Sequence, residues 1–167
     1  KGYLYLSGVS GNYASVPEAA LEGLTDFVME AKDVYMSDWA AASSEVFMSK
    51  WASASGLAFI FRRTTTSINL YTTITGSAAT GYSFPHGLTG PKTISVKLTR
   101  VGTLLSAEID TGAGYISLGA GQNTAAGAII YSGDPLEIGS RYDGVLDLLN
   151  GKIGQARIWD NGTQAGD

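Results

Sequence analysis

Between Thr93 and Arg100 the chain alternates cleanly, with Ile94, Val96 and Leu98 on one side and Ser95, Lys97 and Thr99 on the other. A period of two sends successive side chains to opposite faces of a strand and is incompatible with a helix buried on one face. The same pattern recurs. Gly2 to Leu6 sets Leu4 and Leu6 against Tyr3 and Tyr5. Gly56 to Arg63 keeps Leu57, Phe59 and Phe61 in phase; beyond a turn at Thr64-Thr65-Thr66, Ile68 and Leu70 continue, with Ser67, Asn69, Tyr71 and Thr73 on the reverse. Those two runs read as a hairpin. Val101-Gly-Thr103 then turns the chain into Leu105, Ala107 and Ile109, and Asp110 to Gly114 turns it again into Tyr115 to Leu118. Short strands at roughly 8–12-residue spacing predict an all-β sandwich or barrel.

Departures from the pattern carry their own information. From Thr25 to Met36 the apolar phase holds at Phe27, Met29 and Ala31, then shifts to Val34 and Met36, which predicts a β-bulge near Lys32-Asp33. Glu45 to Trp51 reads as a strand with Phe47 on one face and Val46 and Met48 on the other, and Glu18 to Leu21 as one helical turn. Gly76 to Pro91 reads as a long Gly-rich loop holding Tyr82, Phe84, Pro85 and His86; loops of that length in a compact domain are usually functional or mobile. Pro135 to Asp160 offers two apolar strands, Leu136-Glu137-Ile138 and Lys152 to Trp159. They flank a polar turn with Arg141, Tyr142, Asp143 and Gly144, as a scaffold presenting a loop does.

Composition removes whole classes of function. A chain of 167 residues fits one domain, 1–167, burying roughly 70% of its unfolded surface. Its net charge of −4 argues against nucleic acid, whose phosphates demand clustered Lys and Arg. The absence of Cys rules out disulfides and thiolate metal sites and fits a reducing compartment, or a particle assembled in one. A single histidine, His86, excludes His-cluster metal chemistry. No run approaches the ~20 apolar residues of a membrane span, so no membrane insertion is expected. Starting at Lys1 and stopping at Gly166-Asp167 just past a strand, the chain reads as a processed product or a piece of something longer.

The order YLYLSGVSGNYASVP, TDFVMEAKD, VFMSKW, TISVKLTRVG with AEIDTG, PLEIGS and GKIGQARIWDNG resembles the concanavalin A-like lectin/glucanase superfamily, in its laminin G-like or pentraxin-like branch. More narrowly, GVSGNYASVP, the SKW tripeptide and PLEIGS followed by DLLNGKI resemble jelly-roll domains in minor tail and other virion proteins of tailed bacteriophages. The resemblance runs from about Tyr3 to Asn161 and implies a two-sheet antiparallel β-sandwich. It further implies a non-enzymatic domain on the virion surface, in the tail or as a capsid decoration, that adheres to glycans or to neighbouring virion proteins. A bacterial or extracellular carbohydrate-binding module is the alternative, and a glycan depolymerase a third class.

Candidate residues follow from what each chemistry requires. Sugars take an aromatic ring ringed by planar polar groups, which points to Tyr71 with Asn69, to Arg63, to Tyr82 with His86, and to Tyr142 with Arg141 and Asp143. Each has a competing structural reading: Tyr71 as cover for a sheet face, His86 as a loop hydrogen-bonder, and Trp39, Trp51 and Trp159 as packing. Calcium takes several oxygen ligands, and lectin and pentraxin relatives draw them from loops; Asn123, Asp134, Asp143 and Asp147 are the matching residues here. The acidic residue frequent in the family's first turn is absent from Gly8-Val9-Ser10-Gly11-Asn12, and Asp134-Pro135 and Asp143-Gly144 also read as turn formers. No Glu-x-Asp-x-(x)-Glu run of the jelly-roll glucanases is present. Glu108 and Asp110 are the closest carboxylate pair, at a strand end. Asn161-Gly162-Thr163 reads as an Asn-Gly turn, and Tyr3, Tyr5 and Tyr13 offer a contact surface for a homo-oligomer.

Overall fold

Alternation becomes strand wherever one face can be buried. The computed structural model describes residues 2–16, 23–51, 57–75, 78–129, 133–160 and the backbone of 163–166. Among them lie β1 (Leu4–Ser7), β2 (Ala14–Val16), β3 (Phe27–Met36), β4 (Glu45–Trp51), β5 (Leu57–Arg63), β6 (Ser67–Thr72), β7 (Thr80–Pro85) and β8 (Lys92–Val101). There follow β9 (Leu104–Asp110), β10 (Tyr115–Ser117), β11 (Gln122–Asn123), β12 (Leu136–Ile138), β13 (Asn150–Ile153), β14 (Gln155–Asp160) and β15 (Thr163–Gly166). A nine-stranded sheet runs β1-β13-β3-β8-β9-β10, with β14 joining β3 to β15 and β11 beside β9. A six-stranded sheet runs β2-β12-β4-β5-β6-β7. All these pairings are antiparallel, and no helix occurs among the described residues. The helical turn predicted at Glu18 to Leu21 and the turn at Asn161-Gly162 lie outside the described residues.

The two sheets stack on one apolar interior. Ile94, Val96 and Leu98 face inward as the alternation requires, beside Met29, Ala31 and Val34 of β3. Phe47, Phe59, Phe61, Ile68, Leu70 and Phe84 close the space from the other layer. Phe47 and Phe61 meet edge to face at 5.0 Å between centroids. Burying each such ring is worth roughly 1.5–3 kcal/mol, against ~0–1 kcal/mol for a surface ion pair, so the aromatic row dominates the contact between layers. Trp39 is fully enclosed, and its indole N–H donates to the Lys92 carbonyl at 3.0 Å.

The predicted bulge is present. Ala31 opposes Val96 and Val34 opposes Ile94, so three steps of β3 match two of β8. Asp33 takes the strain with a φ of 52°, and its N–H donates to Ser95 Oγ at 3.1 Å. Four expectations need correction. A second register shift between Val46 and Met48 makes Phe47 the extra residue; Phe47 and Met48 both enter the interior, and Val46 faces out alone. A third shift, between Lys50 and Trp51, sends Leu57 out of phase with Phe59 and onto the outer face. The supposed loop from Gly76 to Pro91 contains β7, an edge strand whose Tyr82 and Phe84 point inward. The run from Lys152 to Trp159 breaks at Gly154, which sits against the bulge: a Cβ there would come within 2.9 Å of Asp33 Cβ.

Candidate functional site

Cross-strand register fixes what the outer face of the six-stranded sheet displays. Val46, Arg62, Asn69 and Ser83 stand in one row, and Glu137, Ser49, Ile60, Tyr71 and Gly81 in another. Val46, Trp51, Leu57 and Ile60 form a small apolar cluster on this face, and Tyr71 and Tyr142 pack against it. The second tyrosine comes from the polar turn after β12, which folds back over the sheet.

Glu137 shapes that turn. Its carboxylate is fully enclosed and accepts the Ser140 hydroxyl at 2.6 Å, the Asp143 N–H at 2.8 Å and the Gly144 N–H at 3.2 Å. Tyr142, Asp143 and Gly144 all have left-handed φ values, 58°, 54° and 76°. Successive N–H groups in such a turn converge on a concavity suited to an anion, and here the chain supplies the anion itself. Ring and backbone then lock together, because Tyr142 N–H donates to the Trp51 carbonyl at 3.2 Å and Trp51 Nε1–H donates to Tyr142 Oη at 3.3 Å.

One carboxylate ties the turn to the sheet. Asp147 Oδ2 accepts from Arg62 Nη1 at 2.9 Å and from Arg141 Nε at 2.6 Å. Each guanidinium also lies over a ring, Arg62 over Tyr71 at 4.7 Å and Arg141 over Tyr142 at 5.0 Å. Two arginine–tyrosine stacks joined through Asp147 make a flat, stiff surface mixing apolar area with N–H donors. Beside it, Arg62 Nε and Asn69 Oδ1 are buried without a protein partner, and these two residues oppose each other across β5 and β6.

The sequence candidates therefore divide. Asn69, Tyr71, Arg141 and Tyr142 come together on this face, with Asp143 exposed at the tip of the turn. Arg63, Tyr82 and His86 do not reach this face. Arg63 is fully buried; its Nη1 donates to the Ala41 and Ser43 carbonyls at 2.7 and 2.9 Å, and its Nη2 to Glu45 at 2.5 Å. Tyr82 belongs to the interior. His86 Nδ1 accepts the Leu88 N–H at 2.9 Å, which leaves the proton on Nε2 to donate to the Thr64 carbonyl at 3.2 Å. Arg62, Trp51 and Glu137 were missed. The signal for Arg62 was available: the alternation that turns Phe59 and Phe61 inward turns Arg63 inward too, and its neighbour out.

The residues suggested for calcium stand in different settings. Asp147 is held by two guanidinium groups, Asn123 lies on β11 of the other sheet, Asp134 precedes β12, and Asp143 is exposed. Among the described residues no three His, Asp or Glu side chains gather closely enough to hold a metal ion. The carboxylate pair is committed to other partners. Glu108 pairs with Lys97 at 2.7 Å. Asp110 accepts the Gly112 and Gly114 N–H groups at 2.7 and 2.9 Å, and these bonds hold its carboxyl below the usual range, the reverse of what a general acid needs. Tyr5 lies beside Lys152 on the nine-stranded sheet while Tyr13 packs on Gly144, so the three early tyrosines do not form one patch.

Two stacked antiparallel sheets in this order make a jelly-roll β-sandwich of the concanavalin A-like fold. Within that class the chain is similar to the carbohydrate-binding module CBM40 of a Ruminococcus gnavus sialidase, solved bound to α2,3-sialyllactose: 14% identity, TM-score 0.70, covering 95% of this chain and 89% of that one. It is also similar to domains LG4-5 of the mouse laminin α1 chain, at 15% identity and TM-score 0.69, covering 99% of this chain and 43% of that one. A pentraxin from Limulus polyphemus matches at 13% identity and TM-score 0.63, over 95% of this chain and 75% of that one. No protein-family model and no curated protein matches the chain.

Proposed function

We propose that this is a non-catalytic glycan-binding domain whose ligand lies on the outer face of the six-stranded sheet. The observation that carries the reading is the pair of arginine-stacked tyrosines, Arg62–Tyr71 and Arg141–Tyr142, joined through Asp147. The sialyllactose held by the Ruminococcus module of the same fold supports a sugar as the ligand class. The resemblance of GVSGNYASVP, SKW and PLEIGS to virion jelly rolls supports display on a phage particle surface, where glycan adhesion and contact with neighbouring virion proteins are both served by the partly exposed rings of Tyr71 and Tyr142.

A glycan array with the wild-type chain and the Tyr71→Ala and Tyr142→Ala variants tests the proposal. Truncating an aromatic anchor costs ~2 kcal/mol, about a thirtyfold loss of affinity, and each variant will bind correspondingly less while keeping one cooperative unfolding transition. Absence of any glycan bound by the wild type, together with stoichiometric incorporation into a particle, overturns adhesion in favour of assembly. Release of reducing sugar from a bound polymer overturns the non-catalytic assignment.

A further inference from the structure

Where β6 ends and β7 begins, a cavity of about 240 Å³ opens, lined by residues of both sheets. Arg100 of β8 forms part of its wall, with Thr72, Thr80 and Thr124 supplying hydroxyls and Ile74 and Tyr82 apolar area. Arg100 is only 4% exposed. Buried guanidinium groups are almost always paired with a carboxylate, because an uncompensated charge in the interior is costly. This one is not. Its Nε donates to the Gly102 carbonyl at 3.0 Å, and its Nη2 to the Ala125 and Gly127 carbonyls at 3.0 and 2.8 Å. None of the ion pairs among the described residues includes it.

A guanidinium has five N–H donors, and those three bonds use only Nε and Nη2. Nη1 takes part in none of them, and it is not among the buried atoms left without a partner. It therefore borders open space. Arg100 is one of the residues that line the cavity.

We propose that this cavity is a second binding site, distinct from the outer-face surface, for a small hydroxylated carboxylate: the acid group on Arg100 Nη1, the hydroxyls on the threonines. The volume sets the size, since it falls below the ~300–1,000 Å³ of pockets for drug-sized ligands, leaving room for one sugar-acid ring or a shorter hydroxy acid. The site also supplies the missing countercharge to Arg100, which three carbonyl dipoles alone do not provide.

The test is a pair of NMR titrations on the isotopically labelled chain, one with sodium glucuronate and one with glucose, at ionic strength matched with sodium chloride. Glucuronate will move the Thr72, Thr80 and Thr124 amides and the Arg100 Nε–H signal in a saturable way, and glucose will do so at least about tenfold more weakly, the carboxylate being the difference between them. Ala78 also lines the cavity and makes none of the Arg100 bonds. Ala78→Phe will fill the space and abolish the glucuronate response, while Tyr71→Ala will leave it intact. Equal responses to both sugars, no response to either, or a response that survives Ala78→Phe overturns the proposal. So does a response lost in Tyr71→Ala, which would place the binding on the outer face and leave the glycan-binding reading standing.

Discussion

Tyr71 owes its position to a missing side chain. A Cβ on Gly81 would come within 2.7 Å of the Tyr71 ring, and the backbone of Gly81 is not in the left-handed region, so alanine is accommodated there by moving the ring alone. Gly81→Ala will therefore weaken glycan binding about tenfold or more with little change in denaturation midpoint; calorimetric titration beside a urea melt checks both. His86 makes a different prediction. Burial is the main cause that lowers its pKa, and nearby Arg63 acts the same way, while the bond to Thr64 opposes them. The imidazole is neutral when folded, and protonating Nδ1 breaks the bond from Leu88. Because the unfolded chain takes up the proton first, this contribution is complete above the ordinary histidine value near 6.5 and declines as pH falls below it. Urea midpoints from pH 7 to 5 will drop for the wild type and flatten in His86→Gln.

Among the strands, the bulge in β3 is the most informative element. Asp33 holds a left-handed φ that a β-branched residue tolerates poorly, so Asp33→Val will cost ~1–3 kcal/mol, seen as a lower denaturation midpoint with unchanged slope. That bulge was legible because Ala31 and Val34 break an otherwise clean phase. The one in β4 was not, because Val46, Phe47 and Met48 are all apolar and a phase shift among them leaves no trace in the sequence. β7 was hidden for another reason: Gly81, Ser83 and Pro85 are loop-like residues, yet on an edge strand they are tolerated, and the apolar Tyr82 and Phe84 between them decide the conformation. The candidate surface was half legible on the same grounds. Asn69 and Tyr71 followed from alternation in β6, and Arg141 and Tyr142 from the turn, but nothing local in the sequence announces that Asp147 would unite them or that Glu137 would be enclosed.

At the scale of the whole molecule the two outer faces differ in kind. The nine-stranded sheet carries a ladder in which Arg157, Glu30, Lys97 and Glu108 oppose one another across β14, β3, β8 and β9. The Tyr115 hydroxyl donates to Glu30, and burial with that carboxylate raises the phenol's pKa. Charge in this ladder is spent on internal partners, Lys97 on Glu108 and Arg157 on Glu30, whereas the six-stranded sheet carries the two arginine–tyrosine stacks. Lys97→Ala will accordingly change stability by ~0–1 kcal/mol, lessening at high salt, and leave glycan affinity at its wild-type value in the same titration.

The enclosed carboxylate of Glu137 has a kinetic consequence. Because the turn bearing Tyr142 is templated from within, its contact surface exists before any guest arrives, and little freedom remains to be lost on capture. Association will then be a single encounter step with no slow conformational phase, its rate rising in proportion to ligand concentration throughout.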